Sequence, residues 1–285
     1  MSAELTWRAV WVETTDRLGN RPIEARWLCE EASGSNGIEW LTGLDSGVGE
    51  RAIARLDSMV GRHLAGEPVQ YVLGHWAFRR LDLMVDRRVL IPRPETELLV
   101  DTAIESLADR PRPWLVADLG TGSGAIALAL ADELPLGSAT IWATDASSDA
   151  LDVARANLAG LGRRGIGVRL AQGSWFEALP EDCRGAFDLI VSNPPYIADG
   201  DPQVEAVVRD WEPAVALFSG SDGLDALRVL TAGAATWLAP GGRLLCEIGA
   251  DQADAAVELA AAAHLAGAEV RPDLTGRDHI LVASA

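Results

Sequence analysis

Apolar and polar residues recur along this chain with two rhythms. Up to about residue 75 the period is helical. In "EARWLCEEA" (24–32), Ala25, Leu28, Cys29 and Ala32 share one helical face. In "RAIARLDSMVGRHLAG" (51–66), Ile53, Leu56, Val60 and Leu64 form a second stripe, and Gly66 is a stop signal. The glycine- and serine-rich stretch "SGSNGIEWLTGLDSG" (33–47) joins the two. These features predict a small helical bundle over residues 1–75. The pattern then alternates in "WAFRRLDLMV" (76–85), which predicts a short hairpin. Pro92 and Pro94 enforce an extended backbone in a linker over 76–94. A helix over Glu95–Leu107 follows, with Leu99, Ala103, Ile104 and Leu107 as its buried stripe.

From Trp114 onward, strands and helices take turns. The expected strands are "WLVADL", "ATIWATD", "GVRLAQ", "FDLIVSN", "GRLLCEI", "AEVRP" and "HILVAS". The expected helices are "GAIALALADEL", "SDALDVARANLAG", "LDALRVLTAGAATWL" and "DQADAAVELAAAAHLAG". Such alternation predicts an α/β domain over 95–285, built on a mostly parallel sheet with helices on both faces. Ligands of such sheets bind outside the carboxyl ends of the strands, where the strand order reverses. Candidate chemistry should therefore sit at strand ends.

Three strand ends carry it. In "DLGTGSGAIALAL" (118–130) a strand runs into Gly120, Gly122 and Gly124 and a helix begins at once. Glycines there allow a tight turn and close approach of a ligand to the backbone. The next strand ends at Asp145. A carboxylate so placed either accepts hydrogen bonds from both hydroxyls of a ribose or caps the helix of "DASSDAL". Gly120, Gly122 and Ala125 suit a dinucleotide, whereas Asp118, Gly120, Gly122 and Gly124 suit S-adenosylmethionine, and the loop alone does not choose between them. The third end is "SNPPYI" (192–197). Asn193 offers an amide acceptor, and Pro194 a carbonyl on a rigid backbone. Two acceptors so placed match an –NH₂ group on a planar centre, which Tyr196 can cover by stacking. Methylation of an amide or exocyclic amino nitrogen by a sulfonium methyl needs this arrangement, since positioning is its main requirement. A nicotinamide enzyme has no use for it.

Composition adds exclusions. The net charge of −18, with no lysine among the 24 basic residues, opposes general nucleic-acid binding. Cys29, Cys183 and Cys246 form no CxxC pair, and His63, His75, His264 and His279 have no ligand spacing, so neither disulfides nor a metal site are expected. The start "MSAELTWRAV" lacks the form of a signal peptide, and no apolar run is long enough to span a bilayer. A cytoplasmic protein, and a monomer, is the expectation.

The motifs together resemble the bacterial HemK-type protein-(glutamine-N5) methyltransferases of peptide chain release factors. The resemblance is carried by "GEPVQYVLG", "LIPRPETE", "DLGTGSGAIALALA", "FDLIVSNPPYI", "PGGRLLCEIG" and "DLTGRDHILV". It implies a Rossmann-like class I S-adenosylmethionine-dependent methyltransferase fold with a small helical N-terminal domain that helps to grip the release factor. It implies methylation of the glutamine of a Gly-Gly-Gln loop, leaving S-adenosylhomocysteine. The cofactor residues it implies are Asp118, Gly120, Thr121, Gly122, Ser123, Gly124, Asp145, Trp175 beside the adenine, and Asn193 beside the methyl group. Asn193, Pro194, Pro195 and Tyr196 would hold the substrate glutamine, with Asn193, Pro194 and Tyr196 the catalytic set. Its "IPRPETE" segment either lies over the site, with Arg93 and Glu95 paired or on ligand, or is a rigid strap between domains. Arg79, Arg80, Arg87, Arg88 and Arg93 either face an acidic partner or form a solvated surface. A methyltransferase of a ribosomal-protein glutamine, or of a nucleic-acid amino group, is the alternative.

Overall fold

The first helix starts where a threonine can cap it. In the computed structural model, which describes residues 5–285, the Thr6 hydroxyl accepts from the Ala9 amide at the head of α1 (Trp7–Arg17). The next helix, α2 (Pro22–Ser33), has its proline in the first turn and ends on Gly34 in the left-handed conformation. After it come α3 (Gly37–Thr42), α4 (Glu50–Leu64) and α5 (Val69–Leu73), in a unit that ends at His75. Trp7, Leu28, Cys29, Trp40, Leu56 and Val60 build its core. The expected face of α2 is buried at all four positions. In α4 the stripe shifts: Leu56, Met59 and Val60 are buried, whereas Leu64 is 59% exposed. Eight residues of helix carry Leu64 about 80° around the axis from Leu56, onto the flank of the face.

The second unit runs from Trp76 to Ala285. A hairpin of β1 (His75–Phe78) and β2 (Leu81–Met84) turns at Arg79, whose φ is 52°. A strap over 85–95, with turns at 87–88 and 94–95 around an irregular stretch at 90–93, leads to α6 (Thr96–Ala108). Strands and helices then alternate: β3 (Trp114–Leu119), α7 (Ala125–Glu133), β4 (Ala139–Asp145), α8 (Ser148–Gly160), β5 (Val168–Gln172) and β6 (Phe187–Ser192). The rest is α9 (Ala206–Trp211), α10 (Asp225–Trp237), β7 (Leu238–Glu247), α11 (Ala253–Ala262), β8 (Ala266–Pro272) and β9 (Asp278–Ser284). In the first unit, α3 lies inside the expected connection over 33–47, with Trp40 buried; in the second unit two elements differ from the sequence pattern. The last helix stops at Ala262 instead of reaching Gly267, because His264 takes a φ of 60° and Leu265 N returns to the Ala260 carbonyl. Helix α9 has no apolar stripe that would announce it, and none of its residues is buried.

The seven-stranded sheet has the order β5-β4-β3-β6-β7-β9-β8, parallel except for the pairings of β9. The strand order reverses between β3 and β6, so their carboxyl ends open a crevice there. Val116 pairs with Leu189 and Asp118 with Val191. Side chains alternate across the sheet. Val116, Leu189 and Val191 join Leu99, Ala103, Leu107, Ile126 and Leu130 on one face. Leu119, Ile190 and Leu244 join Leu230 and Ala234 on the other. Among the described residues no helix is long and apolar enough to cross a membrane.

The arginines of the hairpin and strap are taken up within the chain. Arg79 binds Glu133 and lies 2.7 Å from Asp101, Arg80 lies 3.0 Å from Asp132, and Arg88 lies 2.5 Å from Asp86. Arg87 sits over the Trp211 ring at 5.8 Å. Arg93 pairs at 2.5 Å with Glu212, not with Glu95, and the second oxygen of Glu212 accepts from the Ile91 amide at 3.0 Å. The Glu212 side chain is buried, so it pins the strap from beneath. Replacement by alanine (Glu212→Ala) removes the acceptor of both groups. The expected loss is on the order of 2–3 kcal/mol in urea unfolding. A loss below about 0.5 kcal/mol, the range of an ordinary surface change, would mean that the strap is held by something else.

Candidate active site

The glycine loop is shaped from below by a buried acid. Beyond β3, the Gly120 and Thr121 amides both donate to the Thr144 carbonyl, at 2.9 and 2.8 Å. Gly120, Gly122 and Gly124 have φ of 75°, 56° and 86°, the left-handed region that a side chain disfavours. A Cβ on Gly124 would also come within 3.0 Å of Leu128. Asp118 is fully buried. One of its oxygens accepts from the Thr121 hydroxyl at 2.6 Å and from the Ala127 amide at 3.1 Å, and the other has no partner. The sequence motif puts Asp118 among the cofactor contacts. The structure instead sets it under the loop, outside the wall of the adjoining cavity.

That cavity, of about 430 Å³, lies over the carboxyl ends of β3, β4 and β6. Gly120, Thr121, Gly122 and Ser123 form its floor, with Asp145, Trp175, Asn193 and Pro195 around them. Leu90, Pro92 and Thr96 bring the strap and the start of α6 into the wall. One Asp145 oxygen accepts from the Gly122 amide and the other from the Ser147 amide, both at 2.9 Å. The cap of α8 is Ser147, whose hydroxyl accepts from the Ala150 amide at 3.2 Å. Capping therefore does not occupy Asp145, and its carboxylate keeps lone pairs for the cavity. Trp175 holds a φ of 49°, and its ring edge would lie 3.6 Å from a Cβ on Gly120.

The prolines end β6 at Ser192, whose hydroxyl donates to the Leu119 carbonyl at 2.6 Å and ties the tip of β6 to the tip of β3. Asn193 Nδ2 donates to Thr96 Oγ1 at 3.0 Å, and Thr96 Oγ1 donates to Glu247 Oε2 at 2.7 Å. Asn193 also lines a second, smaller cavity of about 80 Å³ with Pro194, Tyr196, Ile197 and Arg93. Tyr196 lies on this side and does not line the larger cavity. Its carbonyl accepts from Gln252 Nε2 at 3.0 Å, and a Cβ on Gly223 would come within 2.3 Å of that oxygen. The position of the tip thus depends on Thr96, Gln252, Gly223 and Glu247. Sequence motifs did not single these out. The available signals were the threonine inside "RPETE" and an acid closing the apolar strand "RLLCE".

The Methyltransferase small domain family matches residues 95–216, and the PrmC N-terminal domain family matches residues 13–74. A release factor glutamine methyltransferase of Xylella fastidiosa is 46% identical over 279 residues, 96% of each chain. One of Neisseria gonorrhoeae is 42% identical over 259 residues, 90% of this chain and 91% of its own. The chain belongs to the release factor glutamine methyltransferase family. A solved structure from Alicyclobacillus acidocaldarius, a release factor-specific protein-(glutamine-N5) methyltransferase, is 31% identical. It covers 68% of this chain and 93% of its own, at a TM-score of 0.41.

Within this methyltransferase the buried acids shape the electrostatics of the site. Burial pushes the Asp118 carboxyl up to about 7, against the hydrogen bonds from Thr121 and Ala127. Burial also raises Asp145, offset by amides of Ser147, Gly122 and Ala146. Between the ordinary aspartate value near 4 and about 7, the folded chain holds a proton on Asp118 that the unfolded chain has released. Stability from this group is therefore complete below that window and falls as pH rises through it, by up to about 1.4 kcal/mol per pH unit. In Asp118→Asn the single amide oxygen still accepts from Thr121 and Ala127. Urea unfolding of the ligand-free variant between pH 5 and 8 should show a flatter decline than the parent. An equal decline in both proteins would assign the proton elsewhere.

Proposed function

We propose that the chain transfers a methyl group from S-adenosylmethionine to the side-chain amide nitrogen of the glutamine in the Gly-Gly-Gln motif of peptide chain release factors. The observation that carries this reading is the double exposure of Asn193. It lines the larger cavity with the glycine loop and Asp145, and the smaller one with Pro194 and Tyr196. A donor in the first and an acceptor in the second meet at one side chain. The larger cavity has the size of a small-molecule site. Its residues fit S-adenosylmethionine: a carboxylate with free lone pairs for the ribose, an indole wall at Trp175 for the base, and a glycine floor admitting the amino-acid tail. The bound molecule supplies an electrophilic sulfonium methyl.

The rest of the chemistry falls to the chain. An amide nitrogen is a weak nucleophile, because its lone pair is delocalised into the carbonyl. Asn193 Oδ1 and the Pro194 carbonyl accept its two hydrogens and hold its lone pair toward the larger cavity. The prolines fix the spacing of the two acceptors, and Tyr196 closes the far side. Alignment of the nitrogen with the methyl is the main catalytic contribution. The proton leaves after transfer, when the nitrogen has become acidic. The helical unit, matched by the PrmC N-terminal domain family, is the part given in this reading to gripping the release factor.

Peptide mapping after incubation of the full chain with labelled S-adenosylmethionine and release factors should find label on the Gly-Gly-Gln glutamine. Label on a ribosomal protein or nucleic acid, with none on a release factor, would refute this substrate. Asn193→Ala should lower kcat roughly a hundredfold to a thousandfold with S-adenosylmethionine affinity retained, and an active variant removes Asn193 from the mechanism. In calorimetry, Asp145→Ala should weaken S-adenosylmethionine binding about tenfold to a hundredfold. Unchanged affinity would rule out the ribose contact.

A further inference from the structure

Asn193 can accept from a substrate amide only if its own amide is held one way round. Turned over, it would present N–H groups to an –NH₂. The hydrogen bonds behind it decide the orientation. Glu247 is buried at the end of β7 and, as a carboxylate, has no proton to give. Thr96 has one hydroxyl proton, and it points to Glu247 Oε2 at 2.7 Å. Toward Asn193 the Thr96 oxygen can then only accept, so the atom 3.0 Å away must be Nδ2. Oδ1 is left for the substrate. We propose that Thr96 and Glu247 are positioning residues that set the polarity of the Asn193 amide, and with it the acceptor that receives the substrate –NH₂. This rests on the function proposed above.

The surroundings of Glu247 suit that task. His279 on β9 brings Nε2 to 3.6 Å, with no hydrogen-bond partner of its own. Tyr196 at the tip of β6 interacts with the same carboxylate, and Glu95 at the start of α6 and Arg93 on the strap act on it through their charge. A single carboxylate therefore acts on both ends of the Asn-Pro-Pro-Tyr tip, on Asn193 through Thr96 and on Tyr196 through its charge. Burial holds the Glu247 carboxyl above the usual carboxylate range. Once protonated, Glu247 can donate to Thr96. Thr96 can then donate to Asn193, and the amide is accepted either way round. Activity should fall on the acid side for this reason.

The test uses single-turnover methylation of a release factor by the full chain at saturating S-adenosylmethionine, across pH. Thr96→Val keeps the shape and removes the hydroxyl. Its rate at saturating S-adenosylmethionine should drop about tenfold to a hundredfold, with release-factor KM within about twofold of the parent. Its rate should no longer fall on the acid side. Thr96→Ser should restore both the rate and the acid limb. Glu247→Gln keeps an acceptor without a titrating proton, so its acid side should be flat even where its rate is reduced. A Thr96→Val rate within twofold of the parent, a Thr96→Ser variant no better than Thr96→Val, or a parent-like acid limb in Glu247→Gln overturns the proposal. A parent chain that methylates no release factor would instead refute the function reading. An active parent with an insensitive Thr96 refutes only the relay.

Discussion

The parallel pairing of β3 with β6 is the constraint from which the site follows. It sets Asp118 beside Val191, and the next residues of both strands lie side by side at the carboxyl edge. One strand turns there into glycines and the other into prolines. These are opposite backbone solutions, one permissive and one fixed, and a hydrogen bond from Ser192 to the Leu119 carbonyl ties them together. A slip in this register would separate the donor cavity from Asn193 and would turn the inward faces of both strands outward.

Much of this was legible in the sequence, because it depends on local rules. Strand–loop–helix order, glycines at positive φ and prolines that stop a strand act over a few residues. So does the face of α2, where Ala25, Leu28, Cys29 and Ala32 are all buried. The rest depends on partners far apart in the chain. Glu212 holds Arg93 from 119 residues away, and Glu247 holds Thr96 from 151 residues away. No local spacing encodes such pairs. Arg93 and Glu95 look like natural partners in "RPETE", yet Glu212 displaces Glu95 because it lies buried under the strap with a second bond to Ile91. Asp118 is different, because its partners Thr121 and Ala127 are close in the chain. Its motif marks a loop that faces ligand, but its own side chain points the other way, into the supports of the loop.

Charge is distributed unevenly between surface and site. The chain is strongly acidic overall, while the arginines of the hairpin and strap are matched inside it. Three acids are buried near the site: Asp118, Glu212 and Glu247. Each is costly to bury, and each is held by donors of another segment: Asp118 by the glycine loop and α7, Glu212 by the strap, and Glu247 by Thr96 at the start of α6. Removing such an acid would therefore do more than delete a contact. It would release the segment that the acid fixes.

The shared wall at Asn193 has a consequence for the order of events. Leu90, Asn193 and Ala216 line both cavities, the larger one with the glycine loop and the smaller one with Pro194 and Tyr196. Two reactants held in adjoining cavities with one wall in common meet directly. In the reading proposed above, this architecture belongs to a ternary complex without a covalent enzyme intermediate.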